Sequence, residues 1–280
     1  MPQEKDALTN AIADIVRRLG VTTGDTVMVH SGIGPLVKLV DGTPPSLADT
    51  LAALHGALTA AVGPSGTIVA PGFFYDYARH GKPFHVDRSP PDANLGLYPR
   101  HVFGLSECRR SLNPIGNLLA VGRHADTICA HTSASGFGLT SPWKHLVDLD
   151  AKCLIIGTPY IMTFPHHVEA LLGLPHVYNK IHRTPVYYKG ERVALPVITQ
   201  VRYLKYGIEY LVDRTLRDLI ATGILKTIET RGVNGQLARF REVQDMLVEK
   251  LTADPYYLLA RPPEFVSGEP PDDGPAGPAR

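Results

Sequence analysis

Residues 24–73 read GDTVMVHSGIGPLVKLVDGTPPSLADTLAALHGALTAAVGPSGTIVAPGF, and the order of patterns within them decides the fold class. A polar turn feeds the apolar run from Thr26 to His30, which predicts a short strand leaving the sheet through Ser31 and Gly32. From Ser46 to Val62, Leu47, Leu51, Leu54 and Leu58 recur at helical spacing, and GPSG at 63–66 breaks that pattern before a second strand in TIVAPGF. The unit is β-α-β, the signature of an α/β fold.

The same alternation continues outward. Leu8, Ile12, Ile15, Val16 and Leu19 predict an amphipathic helix over residues 5–19, with Gly20 as its stop. CLIIG at 153–157 is a short apolar run of buried-strand type, and His166 to Leu172 follow in a helix-compatible pattern. ALPVITQVRYL alternates as a strand does, while VDRTLRDLIATG and RFREVQDMLVEKL read as amphipathic helices. Tyr75 to Pro99, rich in His, Pro, Asp and Gly, reads as a long working loop without core elements. Residues 1–260 are expected to form one α/β domain. Residues 261–280, RPPEFVSGEPPDDGPAGPAR, are expected to form a disordered Pro/Gly-rich tail.

Composition excludes several classes of function. The formal net charge is +1 from 28 basic and 27 acidic side chains, and no Lys/Arg stripe suits a nucleic acid. The N-terminus carries charges where a signal peptide needs an apolar stretch, and no apolar run is long enough for a membrane span, so no membrane partner and a cytoplasmic location are expected. Cys108, Cys129 and Cys153 are odd in number and lack metal-ligand or disulfide spacing; reduced thiols are expected, with Cys153 a small buried hydrophobe.

His166 and Glu169 lie three apart, so a helix projects both from one face as a usable acid/base pair; the same spacing also occurs as a local salt bridge at an exposed helix start. His167 points about 100° away and reads as packing or surface. His30, His55, His131, His176 and His182 sit in no ligand-like spacing, so no metal is expected. Ser31 can hydrogen-bond a ligand beside backbone N–H groups freed by nearby glycines, or simply close a turn. No GxSxG elbow surrounds it.

Taken in order, GDTVMVHSGIGPL, AAVGPSGTIVAPGF, RRSLNPIGNLLAVG, GLTSPWKHLVDLDAKCLIIG and TFPHHVEALLGLP resemble the antibiotic N-acetyltransferase family, whose type members are aminoglycoside 3-N-acetyltransferases. The resemblance covers roughly residues 5–260 and implies a mixed central sheet flanked by helices. It implies acyl transfer from acetyl-CoA or another acyl-CoA to the amine of an antibiotic or natural-product-like small molecule. The family's Thr-x-x-His segment and following acid map onto Thr163, His166 and Glu169, which implies a His/Glu general-base pair at the last two. The pantetheine channel maps onto Ser31, Gly32, Ile33, Gly34, Ser111 and Asn113, with Ser31 a candidate donor to the thioester oxygen.

Two positions depart from the family pattern. Asn113 stands where many members carry His, and Asn117 where many carry Ser; Asn cannot ionise, which leaves the acyl donor open to a longer acyl-CoA or a carrier-protein thioester. The acceptor loop YDYARHGKPFHVDRSPPD offers Tyr75, Asp76 and Asp87 as substrate-binding candidates but also Arg79, His80, Lys82, His85 and Arg88. That mixed charge favours a small or zwitterionic amine over a polycationic aminoglycoside. An acyl carrier protein and a homo-oligomer are compatible partners. The rival readings are a Ser31-nucleophile acyl hydrolase or transacylase and a catalytically silent ligand-binding paralogue.

Overall fold

The computed structural model describes residues 2–265, so most of the expected tail, residues 266–280, lies outside the described residues. Its longer elements run α1 (Pro2–Leu19), β1 (Thr26–Ser31), α2 (Leu47–Val62), β2 (Thr67–Pro71), α3 (Leu97–Phe103), β3 (Arg109–Arg110), β4 (Leu118–Gly122) and α4 (Pro142–Asp148). They continue as β5 (Lys152–Ile156), α5 (Pro165–Leu172), β6 (Val177–His182), β7 (Val197–Arg202), α6 (Val212–Ala221), β8 (Lys226–Thr230), β9 (Val233–Arg239) and α7 (Phe240–Ala253).

β1 is central because it can be buried on both faces: Thr26 to His30 are all buried. It pairs in parallel with β2 on one side and with β5 on the other. Antiparallel strands extend both edges, giving a seven-stranded mixed sheet in the order β8-β9-β5-β1-β2-β4-β3. Alternation along β1 splits the core in two. Val27 and Val29 pack with Ile12 and Ile15 of α1 and Leu54 and Leu58 of α2, whereas Met28 packs with Trp143, Phe164, Val168 and Phe240 on the opposite face. Among the described residues no helix is long and apolar enough to cross a membrane.

Two details differ from the expectation. The buried stripe of α2 runs through Thr50, Ala53, Leu54, Ala57 and Leu58, and Leu47 at its first turn is 52% exposed. The alanines line the seam instead, because small side chains let the helix lie close against its neighbours. The stretch from Tyr75 to Pro99 is also not free of core structure. Tyr77, Phe84 and Val86 form a small cluster of their own with Leu112, Val186 and Val197, and Phe84–His85 pairs in parallel with Val186–Tyr187.

A hairpin of β6 and β7 stands outside the main sheet, with Val197 opposite His182 and Arg202 opposite Val177. It is fastened by Asn113. The Asn113 side-chain amide donates to the Ala134 and Ile198 carbonyls, each at 3.0 Å, while its oxygen accepts from the Ile115 and Gly116 amides at 3.0 and 3.2 Å. Ile198 and the 134–136 segment close the clamp through Ile198 N–H to Ala134 O at 2.9 Å and Gly136 N–H to Ile198 O at 3.0 Å. Asn113→Ala leaves the Ile115 and Gly116 amides without their acceptor, while the Ala134 and Ile198 carbonyls keep their backbone donors; each unsatisfied buried amide costs about 1–3 kcal/mol. Urea unfolding should show a loss of at least that size; an unchanged midpoint would show that the clamp contributes nothing.

Candidate active site

The three parallel strands end on the same edge of the sheet, at Ser31, Pro71 and Ile156, where ligands of open α/β sheets are commonly received. The exits of β1 and β5 touch. A Cβ built on Gly32 would meet the Gly157 carbonyl oxygen at 2.1 Å, and the Gly32 amide donates to Ile156 O at 2.9 Å. Only glycine fits at Gly32, and Gly157, at φ 65°, turns the chain into the 158–164 loop. Phe164 anchors that loop against Phe240, with ring centroids 4.7 Å apart, and Pro165 opens α5 where a missing N–H costs least.

α5 buries His167, Val168 and Glu169, and Gly173, left-handed at φ 63°, ends the helix and turns the chain toward His176. Glu169 is fully buried and clamped. His166 Nδ1 lies 2.6 Å from Glu169 Oε2, His176 Nε2 lies 2.9 Å from Oε1, and the Tyr210 hydroxyl donates to Oε1 at 2.8 Å. Burial pushes the Glu169 carboxyl up, but the charges and hydrogen bonds of His166 and His176 outweigh it and hold the group at about 2. Burial and the adjacent carboxylate push the Tyr210 hydroxyl far up, so it remains a proton donor.

An ionised carboxylate at Nδ1 selects the tautomer in which His166 Nδ1–H donates, leaving Nε2 with its lone pair. The His166 side chain is 40% exposed, and Nε2 has no hydrogen-bond partner among the described residues. Its ring is held edge-on by Phe137 and Tyr210, each with centroids at 5.5 Å.

Two clefts meet at His166. One, about 200 Å³, is walled largely by Tyr160, Met162, Pro165, Leu211, Val212 and Leu258. The other, about 490 Å³, is walled by Arg79, Tyr178, Lys180, His182, Gln200 and Arg202, with Glu169 and Tyr210 at its floor.

The other expected site residues fall elsewhere. Ser31, Gly32, Ile33 and Gly34 follow the β1 exit, with Ile33 buried, Gly34 exposed and the Ser31 hydroxyl buried without a hydrogen-bond partner among the described residues. The Ser111 hydroxyl accepts from the Leu118 amide at 2.9 Å, and Asn113 spends its amide on the clamp above. Neither segment lines the two clefts at His166. Tyr75 packs against Phe73 and beneath the Arg79 guanidinium, Asp76 is paired with Lys82 at 2.6 Å, and Asp87 lines a separate cleft with Arg109, Arg110 and His131.

His167 is buried, with Nδ1 2.6 Å from Phe137 O, and serves packing. His176 and Tyr210 escaped the sequence reading: only the Gly173 turn hinted that His176 doubles back, and nothing local ties Tyr210 to α5. Among the described residues no group of three His, Cys, Asp or Glu is arranged to hold a metal ion.

Known proteins resemble this chain. The aminoglycoside N(3)-acetyltransferase III of Acinetobacter baumannii is 28% identical over 201 residues, covering 66% of this chain and 68% of that protein. The aminoglycoside N(3)-acetyltransferase IV of a Salmonella species is 27% identical over 258 residues, covering 88% and 87%. Solved structures share the fold: AAC-VIa bound to sisomicin at a TM-score of 0.73 and 24% identity, covering 88% of this chain and 97% of that one, and AAC-IIIb in a binary complex with CoASH at 0.72 and 21%, covering 88% and 96%. The family model described as aminoglycoside 3-N-acetyltransferase matches residues 28–252, and on that match, which takes in most of β1, the His166–Glu169 helix and most of α7, the chain belongs to the antibiotic N-acetyltransferase family of CoA-dependent N-acyltransferases.

Proposed function

We propose that the protein transfers an acyl group, acetyl in the simplest case, from acyl-CoA to a small-molecule amine by direct attack, with His166 as general base and Glu169 as its orienting partner. One observation carries the reading: a buried, ionised carboxylate holds Nδ1 of a half-exposed imidazole whose Nε2 stands free where two clefts meet. The structure of a relative with CoASH supports the donor.

His166 Nε2 takes a proton from the amine as the carbon–nitrogen bond forms at the thioester carbonyl, and Glu169 stabilises the imidazolium. The carbon–sulfur bond then breaks, and the imidazolium returns its proton to the departing CoA thiolate. The apolar cleft of Tyr160, Met162, Leu211 and Val212 suits the acyl end. The loop after β1 is the proposed wall for the pantetheine arm, because Ser31 carries a buried hydroxyl without a partner among the described residues and Gly32 abuts the Gly157 backbone and the Thr158 side chain, on the segment that leads to Tyr160. Ser111 and Asn113 spend their polar groups on backbone elsewhere and are left out of that wall. No imidazole reaches Ser31 among the described residues, which favours direct attack over an acyl-serine intermediate.

His166→Ala should lower kcat for amine-dependent thiol release by about 10²–10⁴-fold with little change in the KM for acetyl-CoA; full retained turnover would remove His166 from the chemistry. Glu169→Gln should cost less than His166→Ala, since the base remains while its orienting charge goes. Glu169 also links stability to pH. Its folded-state value lies below the ordinary 4.5, so its contribution is present above that value and is lost as pH falls toward about 2. Thermal melts across that interval should fall more steeply for the natural protein than for Glu169→Gln; parallel curves would show that the buried charge does not drive the acid limb.

A further inference from the structure

We propose that the acceptor is an amine that also carries an oxyanion group, a carboxylate or a phosphate, and that Arg202, Lys180 and Arg79 read that group. This inference rests on the acyl-transfer reading and names the substrate class of the same site.

The larger cleft at His166 is lined by three permanent cations from separate parts of the chain: Arg79 after β2, Lys180 on β6 and Arg202 on β7. Among the described residues its lining contains one carboxylate, Glu169, and both oxygens of Glu169 are spent, Oε2 on His166 and Oε1 on His176 and Tyr210. Among the described residues none of the three cations has an ion-pair partner. Arg79 lies over the Tyr75 ring at 4.8 Å, with Asp76 near enough to feel its charge, and Arg202 lies over the Tyr210 ring at 5.8 Å, so an aromatic face helps to position each guanidinium.

Among the described residues the acids of the 75–92 stretch are absent from the cleft lining. Asp76 is neutralised by Lys82, and Asp87 faces the separate cleft with Arg109 and Arg110. Unpaired like charges around one concavity attract an anion and repel a polycation, and arginine forks match carboxylate and phosphate oxygens in particular.

The position of the charge selects the acceptor over the donor. Arg202 stacks on Tyr210, the side chain that donates to Glu169, so it stands one aromatic ring away from the base pair. CoA phosphates lie a full pantetheine arm from the thioester that His166 must face. An oxyanion bound at Arg202 therefore belongs to a molecule whose amine is only a few bonds away.

The test measures thiol release from acetyl-CoA with amino-carboxylates of graded length, the carboxamide twin of each, amino-phosphate monoesters, and sisomicin. The carboxylate or phosphate series should exceed its neutral counterpart in kcat/KM by about tenfold or more, the size of a charge-assisted hydrogen bond, and the better series identifies the oxyanion. Arg202→Ala and Lys180→Ala should erase that advantage through the acceptor's KM, Arg202→Lys should restore part of it, and added salt should weaken it. Both side chains reach solvent, and melting temperatures verify that the variants fold.

Superior turnover of the carboxamides or sisomicin would overturn the inference while leaving acyl transfer intact. So would variants that raise the KM for acetyl-CoA and spare the acceptor's, which would give the cations to CoA phosphates. Calorimetry of the same probes on CoASH-saturated protein reads the cleft without turnover. If no amine releases thiol, the acyl-transfer reading fails, and tighter binding of the anionic twin still upholds the cleft. Equal or weaker binding of the anionic twin sinks the inference whatever the activity.

Discussion

The site depends on one buried negative charge. Glu169 has no solvent exposure, and an ionised carboxylate in that position costs several kcal/mol unless hydrogen bonds and opposite charge offset it. His166, His176 and Tyr210 supply that offset, and each then has its own position dictated. Helix α5 must end at Gly173 for the chain to return with His176, and the 204–211 connection must bring Tyr210 across α5. The one imidazole of the set that remains open to the clefts is His166, so the demand for charge compensation also aims the proposed base.

The sheet sets where this node sits. Parallel pairing of β5, β1 and β2 delivers three exit loops to one edge, and the Gly32–Gly157 approach presses two of them together. The third is tied back by Arg110. This buried guanidinium donates to Asn117 Oδ1 at 2.8 Å and to the Gly72, Val86 and Ser89 carbonyls, and it stacks over Phe84 and Phe103. Burial without an anionic partner draws it down to about 9. The stretch from Tyr75 onward is therefore held to the body of the protein, which keeps Arg79 beside the His166 cleft.

Family membership and the proposed acceptor selection lie in different parts of the molecule. The shared fold and the His166–Glu169 helix belong to the scaffold, whereas the walls of the cleft come from the 76–80 turn and the β6–β7 hairpin. The hairpin stands outside the seven-stranded sheet, and Asn113 fastens it. Charges placed there can change without disturbing the core, so one scaffold can carry cleft walls of different charge beside the same His166–Glu169 helix.

Local pattern in the sequence determined the α/β class, the strand TVMVH, the helices at both ends, and the placing of His166 and Glu169 on one helical face, because each depends on residues within a few positions of one another. The leucine periodicity of α2 indicated the helix but misplaced its buried stripe, since the close approach of neighbouring helices favoured Ala53 and Ala57 over Leu47. The Tyr75–Pro99 stretch hid its buried aromatics because their partners, Leu112, Val186 and Val197, lie far along the chain. For the same reason only the tertiary structure decided that His176 and Tyr210 complete the charge node and that Lys180 and Arg202 join Arg79. Those meetings are set by strand order and hairpin register, which bring together residues separated by tens of positions and leave no periodic trace in the sequence.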